Sequence, residues 1–343
     1  MIATAVLIAS LIALAAPGGA LAAGPPQLAR SIPLPGVEGR IDHLAYDPGT
    51  RRLFVAALGN GSLEVVDLEK GERVKSVGGL QEPQGVAYVA ATKQVVVACG
   101  GDGSAHAYDA ATLEEKVKVV VGDDADNVRL TPDGKTLIVG YGSGALALLD
   151  STTLAKVGDI PLAGHPESFQ IGPASPGRPP SVFVNVPGLL GGGKVVVVDL
   201  ALKQVTATWS LKDAGGADHN FPMALDTAHQ RLYVGCRGAA RLVVLDTGTG
   251  KVVTAPECVG DTDDIFVDSA TGAILVIGGG GAIDVFATAD QAVYTKAASV
   301  ATKPPGGART GLLIAERRAL YLAVPRKQGH DAEIREYVLE EGR

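Results

Sequence analysis

A short apolar run recurs seven times along this chain, and that repetition constrains the fold more than any other feature. It reads Leu53-Phe54-Val55, Val95-Val96-Val97, Leu137-Ile138-Val139, Val182-Phe183-Val184, Leu232-Tyr233-Val234, Ile274-Leu275-Val276 and Leu320-Tyr321-Leu322. A second marker keeps the same order: an aspartate that closes the following apolar run, at Asp67, Asp109, Asp150, Asp199 and Asp246, with Ala287 and Leu339 near that place in the last two units. Between the markers lie turn signals such as Pro132-Asp133-Gly134-Lys135, Gly142-Ser143-Gly144 and Ser151-Thr152-Thr153. Four short strands per unit, at a period of about 40–45 residues, predict a β-propeller. The 45 glycines and 20 prolines are spread as turn punctuation, so they do not signal disorder.

The expected fold is therefore all-β: one seven-bladed propeller of four-stranded antiparallel blades, spanning residues 23–343. The last unit has strands at Thr310–Ile314, Ala319–Val324 and Glu333–Leu339 and then runs out of chain. A spare strand lies at the other end. Leu28 to Gly36 resembles Lys156 to Gly164, which is a fourth strand, so the N-terminal strand is expected to complete the last blade and close the ring. Longer gaps have visible causes: an insertion at Pro173–Pro180, a glycine-rich loop at Pro187–Gly193, and an extra segment at Lys212–Ala217.

Residues 1–22 read as a signal peptide. Ala3 to Ala16 is apolar, Pro17-Gly18-Gly19 breaks the run, and Ala20-Leu21-Ala22 is an A-x-A cleavage pattern, although Met1 to Thr4 carry no Lys or Arg. No later stretch is long and apolar enough to span a membrane. The expected location is periplasmic or secreted, and nothing signals an oligomer, so a monomer is expected. There are three cysteines. No disulfide is expected, because Cys236 and Cys258 are placed two strand spacings apart, about 9–10 Å, whereas a disulfide wants Cα atoms at roughly 4.4–6.8 Å.

Pro132 to Val139 and Leu245 to Val252 resemble the repeat of the YVTN-type seven-bladed propeller family, and the resemblance covers nearly the whole chain after residue 22. The namesake tetrapeptide is never intact; its nearest copies are Phe54-Val55-Ala56-Ala57 and Tyr233-Val234-Gly235-Cys236. The resemblance implies exported binding or surface proteins, often with no assigned reaction. A fold of this kind hosts many activities, so function has to be argued from a site.

Propeller geometry points to one. The first strand of each blade lines a central channel and begins at one face, the top. Reading the residues before each first strand gives a polar ring: Arg40, Asp42 and His43; Gln84; Asp126 and Asn127; His165, Glu167 and Ser168; Asp218, His219 and Asn220; Asp263 and Asp264; Arg309 and Thr310. Of these, Arg40, Asp42, His43, Gln84, Asn127, His165, Glu167, His219, Asn220, Asp264 and Arg309 are the expected ligand-binding residues. A small-molecule or protein ligand would sit there. Three readings stay open: ordinary polarity at a wet channel, a divalent cation held by Asp126, Asn127, Asp264, Glu167 and the histidines, or an organic anion clamped by Arg40 and Arg309. A loop with Arg326, Lys327, His330 and Asp331 is placed to overhang the same mouth.

The expected function is a non-catalytic binding protein working through this mouth, with no catalytic residue assigned. The alternative is a metal-assisted enzyme, lactonase- or lyase-like, with a cation at the mouth. A net charge of −7 and aromatics at 4% speak against a nucleic-acid partner. The opposite face carries Arg51, Arg52, Lys93, Lys135, Arg178, Arg231, Arg317 and Arg318 in its turns, either a partner patch or ordinary turn chemistry.

Overall fold

Seven separate sheets, each of four antiparallel strands, stand around one axis in the computed structural model. It describes residues 24–340 apart from 143, 175–179, 189–191, 304–306 and 328. The expected signal peptide, Ser143, Arg178 and parts of the two long blade-four loops lie outside the described residues. The only helical elements described are two short 3-10 turns, Leu58–Asn60 and Ala315–Arg317. The architecture is the expected all-β seven-bladed propeller.

The innermost strands are Leu44–Asp47, Pro83–Val89, Val128–Leu130, Phe169–Gly172, Asp218–Asp226, Thr262–Asp268 and Gly311–Ile314. The recurrent apolar runs form the second strands. They are buried at nearly every position because both faces meet neighbouring blades. The fourth strands are the outer rim, where Val120, Val157 and Val205 are exposed.

The repeated aspartate has a local cause. Asp67, Asp109, Asp150 and Asp246 each end a third strand, and one carboxylate oxygen of each accepts two backbone N–H bonds from the turn that follows. These bonds favour the ionised form and lower the pKa of all four, at Asp246 after the larger effect of the Thr249 hydroxyl.

The described core divides into seven apolar clusters, one at each junction between adjacent blades. The junction between blades seven and one depends on the chain's N-terminal strand. Gln27–Leu34 pairs with Ala332–Val338 and is the outermost strand of blade seven. It places Ile32 and Leu34, both fully buried, against Leu53, Val55 and Tyr321. Arg30 extends the latch by bonding Glu336 in its own blade and the Leu68 carbonyl in blade one.

On the bottom face the arginines have local partners. Arg51 and Arg317 both pair with Glu69, at 3.1 and 2.9 Å, across the closure. Arg52 and Arg231 donate to carbonyls of the next blade, at Ala110 and Gln291. The three cysteines are buried and free.

If the latch holds the ring, Ile32→Ala should cost about 2–5 kcal/mol in urea unfolding. Leu28→Ala, which is 54% exposed on the same strand, should stay within about 0.5 kcal/mol. Equal effects from the two substitutions would show that the N-terminal strand does not carry this junction.

Candidate functional site

Polar side chains at the top of the ring lace one blade to the next. The His43 amide donates to the Gln84 carbonyl at 3.3 Å, and Gln84 Nε2 donates to Asp124 at 3.4 Å. Asn127 Nδ2 donates to the Glu167 carbonyl at 3.3 Å, and Asn185 Nδ2 to the Phe221 carbonyl at 2.8 Å. Arg237 Nε donates to the Thr262 carbonyl at 2.9 Å, and the Gly311 amide to Asp264 at 2.8 Å. Thr310 Oγ1 closes the circle on the Ile41 carbonyl at 3.2 Å. Part of the ring's polarity is thus explained by junction chemistry, which satisfies backbone groups that the short inner strands leave over.

Inside this circle lies a cavity of about 170 Å³, lined by Arg40, Asp42, His43, Gln84, Asp124, Asp126, Asn127, His165, Glu167, Ser168, Phe221, Arg237 and Asp263. The blades approach closely here: a Cβ on Gly85 would lie 2.1 Å from the Asp126 carbonyl oxygen. Seven of the expected ligand-binding residues line the cavity: Arg40, Asp42, His43, Gln84, Asn127, His165 and Glu167. The other four do not. His219 is half exposed with Nδ1 2.8 Å from Asp218. Asn220 is fully buried and ties Asn185 to the Lys194 carbonyl. Asp264 Oδ1 lies 3.9 Å from His43 Nδ1, and Arg309 pairs with Asp261 at 2.9 Å. In blades five and six the inner strand already begins at Asp218 and Thr262, with bulges after Asn220 and Thr262. The residues read as lying before these strands are therefore inside them.

Three lining residues were absent from the sequence reading. Arg237 is the next-to-last residue of the second strand of blade five, Arg231–Gly238. It stacks 3.8 Å above the Phe221 ring and pairs with Asp263. Asp124 belongs to the loop before the blade-three inner strand. The available signal was topological: second strands run back up to the top face, so their last residues also reach the mouth. The expected pair of clamping guanidiniums does not stand free. Arg40 is bonded to Asp42, and Arg309 to Asp261.

Electrostatically the cavity is crowded with acid. Five carboxylates face two guanidiniums, Arg40 and Arg237. Burial is the leading cause that raises Asp42, Asp126, Asp263 and Glu167 above the ordinary carboxylate range, and Glu167 reaches about 7. Asp263 adds like-charge repulsion to Glu167, while His165 opposes it. Burial, then Arg129, pushes His43 down to about 4, so its ring is neutral at neutral pH.

Within this crowd, one ligand atom each from Asp126, His165 and Glu167 lie within 4.8 Å of one another. His165 Nδ1 is occupied by the Gly142 carbonyl at 2.6 Å, which leaves Nε2 for the cavity. Asn127, which lines the same cavity, is 3% exposed, and its Oδ1 has no hydrogen-bond partner. A buried acceptor without a donor costs about 1–3 kcal/mol, and a cation would satisfy it.

No curated protein matches the chain in sequence. Among solved structures, one similar chain is described as Kuenenia stuttgartiensis Hydrazine Synthase. It is 16% identical, with a TM-score of 0.71, over 84% of this chain and 95% of that one. At that identity the likeness shows the fold alone. The resemblance to YVTN-type repeats carries only as far as a propeller family. A family model described as Cytochrome D1 heme domain matches residues 49–254, more than half of the chain. This match overturns the expectation of a non-catalytic binding propeller, because it ties the chain to a domain described by a redox cofactor and favours the metal-assisted enzyme given above as the alternative. The chain belongs to the cytochrome D1 heme domain family.

Proposed function

We propose that the protein is an exported metal-assisted enzyme that works on a small substrate at the top mouth of its channel. The observation that carries this is the convergence of Asp126, His165 and Glu167 within 4.8 Å, next to the unpartnered Asn127 Oδ1. Two carboxylates, an amide oxygen and an imidazole suit a divalent transition ion such as Zn²⁺ or Mn²⁺ better than Ca²⁺, which prefers oxygen alone.

The family's name raises a heme, and the mouth does not fit one. A tetrapyrrole is a broad apolar disc bearing its own carboxylates, and it needs apolar walls and free cations. This cavity measures about 170 Å³, has Phe221 as its one aromatic wall, and presents five carboxylates. Both of its guanidiniums are already paired with acids. No step is therefore derived through a heme.

A divalent ion at this place would act as a Lewis acid, polarising a carbonyl or acidifying a water. The chain's own groups supply the rest. Asp126, Asn127, His165 and Glu167 would hold the ion. His43, kept neutral and close to Asp42 and Asp264 at 3.8 and 3.9 Å, is the group placed to accept a proton. Arg237, fixed on Phe221, and Arg40 would orient an anionic or carbonyl-rich substrate. Lactone hydrolysis or elimination beside a carboxylate fits these roles. Location outside the cytoplasm is supported by the apolar run and A-x-A pattern in residues 1–22. Among the described residues, no helix is long and apolar enough to cross a membrane.

Calorimetric titration of chelator-treated protein with Zn²⁺ or Mn²⁺ should show a binding step that the double substitution Glu167→Gln, His165→Ala removes while the fold persists. At a hundred times its Kd the ion should stabilise the protein by about 2.7 kcal/mol. A binding isotherm unchanged by the double substitution would refute the site.

The pH dependence has a defined sign. Glu167 holds its proton in the folded state up to about 7 but releases it near 4.5 when unfolded, so metal-free stability falls as pH rises through that window. His43 works the other way between about 4 and 6.5, leaving the acid's effect dominant above that. Stabilisation by the ion should therefore widen from about pH 6 to 8, as the ligand loses its proton. Asp263→Asn should move this onset to lower pH. A stabilisation that is flat across the range would contradict the assignment.

A further inference from the structure

Blade two carries a second convergence of ligand atoms, none of them from residues that line the mouth cavity. Cys99 ends the second strand, Gln94–Cys99, and stands opposite Ser104, the first residue of the third strand. His106 follows two positions later, so Cys99, Ser104 and His106 share one face of the sheet. That face packs on blade one, where Cys99 joins the apolar cluster between the two blades. Asp102 closes the intervening turn. Cys99 Sγ, an Asp102 carboxylate oxygen and a His106 ring nitrogen lie within 4.8 Å of one another.

The surroundings aim these atoms inward. Glu115, on the fourth strand, sits 2.8 Å from His106 Nδ1, which turns Nε2 toward the cluster. Lys118 holds the outer carboxylate oxygen of Asp102 at 2.9 Å, leaving Oδ1 inside. A carboxylate on the far nitrogen of a ligating histidine is the usual outer support of a zinc site. Ser104 Oγ bridges the interior, bonded to Asp102 Oδ1 and 2.8 Å from His106 Nε2. Ser104, His106 and Glu115 have the connectivity of a serine-histidine-acid array. However, Ser104 is 1% exposed, which leaves no face for an acyl substrate.

We propose that Cys99, Asp102 and His106 form a second metal site, for Zn²⁺, with Glu115 as the outer carboxylate on His106. Sulfur, nitrogen and oxygen donors together match zinc, with a water as fourth ligand. Binding releases the Cys99 thiol proton to solvent and replaces the two Ser104 bridges with metal bonds. The site would pin the Gly100–Gly103 turn to its sheet and brace the junction with blade one. It is independent of the channel-mouth ion, whose ligands contain no sulfur.

That difference supplies the test. Co²⁺ added to the chelator-treated full chain should give thiolate-to-cobalt charge-transfer absorption, which only a sulfur ligand produces. The band should vanish in Cys99→Ala and persist in the channel-mouth variant Glu167→Gln, His165→Ala. Glu115 is half exposed, so Glu115→Gln should fold normally and bind Co²⁺ about 10–100-fold more weakly. Absence of the band in the wild type would overturn the proposal. So would its survival in Cys99→Ala, which would place the sulfur at Cys236 or Cys258, and so would unchanged affinity in Glu115→Gln.

Discussion

The pairing of the first strand with the last blade is the constraint on which everything else rests. Each blade is apolar on both faces and unable to shield itself, so each of the seven blades needs a neighbour on both sides. Six of these junctions join blades consecutive in the chain. The seventh exists only because Gln27–Leu34 reaches Ala332–Val338 and brings Ile32 and Leu34 to blade one. The closed ring then fixes side chains from six different blades around one cavity. Asp126 and Glu167, forty-one positions apart in the sequence, come within ligand distance where blades three and four meet.

The cavity stores a conflict that the fold alone would not choose. Buried carboxylates repel one another and lose hydration, and here several are pushed above their ordinary range by burial. A purely structural channel would relieve this with smaller or neutral side chains. Retained acid, an orphaned Asn127 oxygen and a histidine with one nitrogen already engaged describe a place prepared for positive charge. The chain gives up stability at the mouth and offsets it with the buried apolar junctions farther out, a common arrangement at working sites.

Much of this was legible in the residues themselves. The strand anchors and the turn aspartates are local signals with local causes: burial on two faces, and a carboxylate capping two amides. The latch was readable because a fourth strand was missing at one end and spare at the other. The mouth was readable in part. His43, His165 and Glu167 precede inner strands and do line the cavity, whereas His219 and Asn220 fell on a bulged extension of the blade-five strand that turns them away. Arg237 and Phe221 went unread because their contact, 3.8 Å between guanidinium and ring, depends on the angle between a strand end and the bulge in the neighbouring inner strand. Pattern does not encode that angle. The function was the least legible part, since a polar ring serves blade lacing and ligand chemistry alike. The family match, which no single motif announces, was needed to displace the binding-protein expectation.

The most direct test is anomalous diffraction from crystals of the full chain soaked in Mn²⁺ or Zn²⁺, recorded above and below the metal absorption edge. A peak among Asp126, Asn127, His165 and Glu167, within about 2.0–2.2 Å of their ligand atoms for zinc, is the predicted result. A mouth that holds only water there, with the acids hydrogen-bonded to each other as protonated pairs, would contradict the account.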